Sequence, residues 1–105
     1  MSAAALRLTG LVAASRYYTE PKTHRAVHDL VLTQPGSSLP TLARRVWADT
    51  AAAHLVAERI ARQFRPGMRA TVHASGWSFD AKRQHLLLAG VDHAEAHHNS
   101  LEAAA

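Results

Sequence analysis

Five of the six aromatic residues in this chain stand among bases in polar stretches. Tyr17 and Tyr18 have Arg16, Lys22 and Arg25 around them, Trp47 follows Arg44 and Arg45, and Trp77 and Phe79 precede Lys82 and Arg83. Rings on which flat bases stack, interleaved with cations that follow phosphates, are what a protein needs to hold a single strand of nucleic acid. Trp47 is the first stacking candidate, although it equally suits a barrel interior or a subunit contact. Trp77 and Phe79, two residues apart on a hairpin, point to one side and suit gripping a base or capping an apolar core. Lys82 and Arg83 are the best phosphate contacts because their loop is polar. Arg44 and Arg45 are neighbours on an expected strand, so they lie on opposite faces and only one can line a flat binding surface.

Other chemistries find less support. With no cysteine, disulfides, thiolate nucleophiles and Cys-type zinc sites are all excluded. Among eight histidines, His93, His97 and His98 would have metal-ligand spacing on a helix. Their segment lacks an apolar stripe to hold it folded, so we expect them to be solvated, with no metal site and no cofactor. There is no Gly-rich phosphate loop, no H-E-x-x-H and no nucleophile elbow, and the acids are scattered, so an enzyme is not expected.

Charge agrees with a polyanionic partner. The formal net charge is +4, yet all 12 Lys and Arg lie between Arg7 and Arg83. Only Glu20, Asp29, Asp49, Glu58 and Asp80 oppose them up to residue 91, and the last fourteen residues carry acids but no Lys or Arg. Such a basic body suits nucleic acid, or is simply a well-solvated surface. At 105 residues and 48% hydrophobic there is room for one domain with one core. The apolar opening is interrupted by Arg7 and reads as a strand rather than a targeting segment. A cytoplasmic protein with no membrane span is expected.

The elements that must position these residues follow from periodicity. Strands are expected over 6–14, with Gly10 marking a bend, and over 25–33 and 41–48. A polar connection spans 15–23, and QPGSSLP (34–40) is turn-forming. Residues 51–65 should form a helix, with Val56, Ile60 and Phe64 as its apolar stripe, Asp49 or Thr50 as N-cap, and Pro66-Gly67 as its stop. A fourth strand is expected over 68–75, a hairpin connection over 76–84, and a fifth strand over 85–91. The order β-β-β-α-β-β predicts an all-β domain with one helix, a five-stranded OB-fold barrel over 1–91, followed by a disordered His/Ala-rich tail over 92–105.

The segment RRVWADTAAAHLVAERIARQFRPGMRATVHASG (44–76) resembles the third strand, helix and fourth strand of bacterial single-stranded DNA-binding proteins, with Gly67 and Gly76 at that family's glycine positions. LRLTGLV looks like its first strand and AVHDLVLT like its second, so the likeness covers about residues 5–94. The Pro/Phe-tipped acidic tail of the longer members is absent, which favours the short, primosome-type members, whereas the 34–40 loop departs from the family pattern by being shorter. The likeness implies single-stranded DNA binding in replication or replication restart, a homodimer, and contact with replication proteins. An OB-fold module that scaffolds such a complex with weak DNA binding is the alternative, and RNA a further ligand.

Overall fold

The structure, a computed structural model, describes residues 6–97. It is mostly β, with seven strands in one sheet and a single helix. β1 (Leu6–Thr19) is long enough to serve two partners. Its first half pairs antiparallel with β4 (Arg69–Ala74), and its second half with β2 (Ala26–Thr33). The transfer occurs at a bulge between Val12 and Ala14. An extra residue there bends the strand and increases its twist. The bulge is bonded from outside the strand, since Val12 N–H donates to Met68 O and Val12 O accepts from Gly67 N–H. Gly67 makes this possible at φ +91, a conformation side chains rarely adopt. Gly10 has a different role. A Cβ there would lie 2.7 Å from Thr33 O, so glycine lets β2 close on β1.

β3 (Thr41–Val46) pairs antiparallel with β2 and parallel with β6 (His85–Ala89). β5 (Gly76–Asp80) pairs with β6, and β7 (His93–His97) with β4. The sheet order is β5-β6-β3-β2-β1-β4-β7. β5 stands at one end of the pairing and β4 next to the other end, yet the two are separated in the chain by Ser75 alone, whose N–H donates to Ala89 O.

Seven strands replace the five expected. The stretch 76–84, expected as a connection, contains β5, because Trp77, Ser78 and Phe79 find a partner in β6 that their own sequence does not announce. Part of the expected disordered tail is β7. Its inward residues are only Ala94 and Ala96, too small to register as an apolar stripe, yet they pack against the core. The rest of that tail lies outside the described residues. β1 also runs on to Thr19, through the expected connection, because each residue from Ser15 to Thr19 is matched on β2.

The helix α1 (Ala51–Ala61) starts as expected, with the Thr50 side chain accepting from Ala53 N–H. It ends four residues early, and of the expected stripe Ile60 packs against the core and Phe64 enters it, while Val56 does not. Ala57 and Ala61 are buried against β1 and β2, while Leu55 and Val56 face solvent, Leu55 at 62% exposure. Small alanines let the helix lie close to the sheet. Phe64, beyond the helix, joins Val12, Leu30, Leu32, Met68, Val72 and Leu88 in the core. Ser15 Oγ donates to Ala61 O at 2.8 Å, so a strand side chain satisfies one terminal helix carbonyl. Among the described residues no helix is long and apolar enough to cross a membrane.

Candidate nucleic-acid interface

Ser15 and Tyr17 touch the helix, so alternation sends Arg16 and Tyr18 to the opposite, outer face of β1. Register then builds two cross-strand rows on that face: Arg16, Asp29 and Arg44, and Tyr18, Val27 and Val46. The Arg16 guanidinium lies 4.9 Å from the centroid of the Tyr18 ring, a cation–π stack along one strand. Arg44 holds Asp29 through two bonds, Nε to Oδ1 at 2.8 Å and Nη2 to Oδ2 at 3.0 Å. That bond raises the Arg44 pKa further. Burial, then the Asp29 carboxylate, raises the Tyr18 hydroxyl above its ordinary value.

Tyr17 is parted from its neighbour. Its hydroxyl bonds His54 Nδ1 at 2.6 Å, and the two rings meet edge to face. The other nitrogen of His54 bonds His24 O, so Tyr17 is a strut between β1, the helix and the loop after β1 rather than a free platform.

Arg44 and Arg45 fall on opposite faces. Arg45 Cζ stands 4.6 Å from the centroid of the Trp47 ring, so one face of that ring already carries a cation. Trp47 lies just past β3 and is half-buried. Its N–H donates to Ala26 O, and its carbonyl accepts from Arg25 Nε at 2.8 Å. Val46, not Trp47, is the more exposed of the pair. Arg25, Trp47 and Arg45 form one cluster at this end of the sheet. Lys22 is exposed in the turn below, its backbone N–H held by Glu20 Oε1.

The third group is the β5–β6 hairpin. Trp77 is 63% exposed and Phe79 46%, the two on one face of β5. Their cross-strand partners are Leu88 and Leu86. The turn beyond is shaped by Asp80 Oδ1, which accepts from Lys82 and Arg83 N–H, both at 3.1 Å. Both side chains are exposed, and no acid among the described residues pairs with either. Beside Trp77 opens an apolar cleft of about 180 Å³ lined by Leu6, Leu8, Thr41, Leu86 and Leu88.

The structure thus gathers eleven of the twelve expected contact residues into three places and sets Tyr17 apart, against the helix. Asp29 is the residue sequence reasoning missed. Nothing in the sequence shows that it neutralises Arg44 until the β2–β3 register is known. The histidines weighed as ligands are not on a helix. His93 and His97 are the two ends of β7, and His98 lies outside the described residues. No family model matches this sequence, and no curated protein matches it significantly.

Proposed function

We propose that this chain is an OB-type barrel that binds single-stranded DNA, as a replication or replication-restart accessory protein. Its likeness within the bacterial single-stranded DNA-binding family is to primosomal replication protein N, and the reading includes a cytoplasmic homodimer without catalytic activity. The barrel reading is supported by the parallel β3–β6 pairing and by Ser75, which alone separates the two distant strands β4 and β5. One observation carries the DNA reading. Trp77 and Phe79 remain exposed on one face of a strand whose turn presents Lys82 and Arg83 unpaired. Exposed rings of this size have unburied apolar area to offer, and a base supplies a flat partner while its phosphate meets the cation. Arg25, Trp47 and Arg45 repeat the same combination at the far end of β3.

The apolar cleft beside Trp77 favours a second reading, a hydrophobic protein segment docked there and the hairpin used for assembly. The two readings separate in a titration of tryptophan fluorescence with oligo-dT across a salt series, repeated with duplex DNA and oligo-U. Trp47→Phe and Trp77→Phe variants identify which ring reports. Quenching that weakens with salt and prefers the single strand supports the DNA reading, and Trp77→Ala should then cost about 1–3 kcal/mol of affinity. Absence of binding at low salt overturns it and leaves the assembly reading.

A further inference from the structure

β7 is the outermost strand of the sheet. Its even-numbered residues, Ala94 and Ala96, pack inward beside Ala70 and Val72 of β4. The odd-numbered side chains of both strands therefore share the outer face. There the register sets His93 opposite His73 and Glu95 opposite Thr71. Glu95 Oε2 lies 3.5 Å from His73 Nε2 and 3.6 Å from His93 Nε2. The three ligand atoms lie within 4.8 Å of one another, and the two imidazoles stand 5.3 Å apart between centroids.

Those separations are too long for hydrogen bonds. The two Glu95–histidine separations come close to the edge of a coordination tetrahedron, because zinc bonds of about 2.0–2.1 Å set neighbouring ligand atoms about 3.4 Å apart, and the two imidazole nitrogens draw together on binding. A second observation points the same way. His73 Nε2 is shielded from solvent and has no hydrogen-bond partner among the described residues, although it is aimed at this cluster. Polar atoms so placed ordinarily have a partner.

We infer that His73, His93 and Glu95 bind one divalent transition-metal ion, with zinc the ion their two imidazoles and one carboxylate suit. Two nitrogen ligands and one oxygen ligand leave a fourth position for water or an anion. His97 Nε2 is engaged by Thr71 Oγ1 at 2.7 Å, which in turn meets Thr9 Oγ1, so this end of the face is braced by hydroxyls. Arg7 opposite His73 and Arg69 opposite His97 are the neighbouring cations, and they moderate rather than abolish the attraction of the site for a dication. The ion joins a core strand to an edge strand, so its binding fastens β7 to β4.

The test is calorimetric titration of the full chain with Zn²⁺ at neutral pH, with Co²⁺ absorption reporting coordination geometry and amide exchange reporting on β7. The expected result is one ion per chain, a Co²⁺ spectrum of low coordination number, and slower exchange in β7. His93→Ala and Glu95→Gln, both at partly exposed positions of an edge strand, should each weaken Zn²⁺ binding tenfold or more and abolish the added protection. His85→Ala and His98→Ala should leave it unchanged. Wild-type Zn²⁺ affinity in His93→Ala or Glu95→Gln overturns the assignment. So does the loss of binding in His98→Ala, or the absence of one-per-chain binding in the unmodified protein.

Discussion

Lowering the pH from 7 to 4 should cost this protein about 3 kcal/mol through one side chain, His28. The ring is 2% exposed, tilted against Phe64, with Nε2 2.8 Å from Ser15 Oγ. A hydroxyl has one proton, and Ser15 gives its own to Ala61 O, so Ser15 accepts from His28 and the neutral imidazole carries its proton on Nε2. Burial is the main reason its pKa falls from 6.5 to about 4. Arg45 adds to the fall, and Asp29 opposes it. The folded state therefore binds a proton less readily than the unfolded chain. Stability from this group is complete above pH 6.5, is lost progressively as pH drops through 6.5 towards 4, and is level below that. The shift corresponds to roughly 3 kcal/mol, at about 1.36 kcal/mol per pH unit. Out of a domain stability of about 5–15 kcal/mol this is a substantial share. Urea denaturation of wild type and His28→Gln at pH 7, 5.5 and 4 measures it, since carboxylate titration is common to both chains and cancels in the difference. The wild type should lose about 2–3 kcal/mol more than the variant. Parallel stability curves would refute the reasoning by showing that His28 charges without penalty in the folded state.

Asp29→Asn releases Arg44, so on the proposed reading it tightens single-stranded DNA binding and steepens the log–log salt dependence by up to about 0.7. Its effect on melting should stay within about 1 kcal/mol, as for other solvent-exposed ion pairs. An unchanged salt slope in filter binding would show that the outer face of β1, β2 and β3 does not contact phosphate. Gly10→Ala sets a methyl group 2.7 Å from the backbone oxygen of Thr33, which cannot swing aside, and should destabilise by about 1–3 kcal/mol in a denaturant titration. Thr50→Ala removes the acceptor that caps α1 and should cost about 1 kcal/mol, read as a lower thermal midpoint with the fold intact.

Local pattern and long-range pairing divide the interface and the edge site differently. Lys82 and Arg83 were legible as exposed because a polar turn has nowhere else to put them. Trp77 and Phe79 were legible as sharing a side, since residues two apart on a strand do so whatever the strand pairs with. Arg44 and Arg45 were legible as facing opposite ways for the same reason. Which of the two is neutralised was not, because Asp29 is fifteen residues from Arg44 and meets it only through the β2–β3 register. Tyr17 and Tyr18 read as equivalent, and the helix separates them by giving one a histidine partner.

By itself, the sequence determined what depends on a few neighbouring residues: the alternation within β4, the strand segments of β2 and β3, a helix starting just after Asp49 or Thr50, the turn before β3, and a basic body with rings set beside bases. Only the tertiary structure decided which strands are neighbours, that Ala57 and Ala61 rather than Val56 face the sheet, and that His73 meets His93 and Glu95. The physical reason is that side-chain direction along a strand follows from its own backbone, whereas its pairing partner is chosen by the packing of the whole chain. A strand such as β7, whose inward residues are two alanines, acquires its structure almost entirely from the β4 edge it completes.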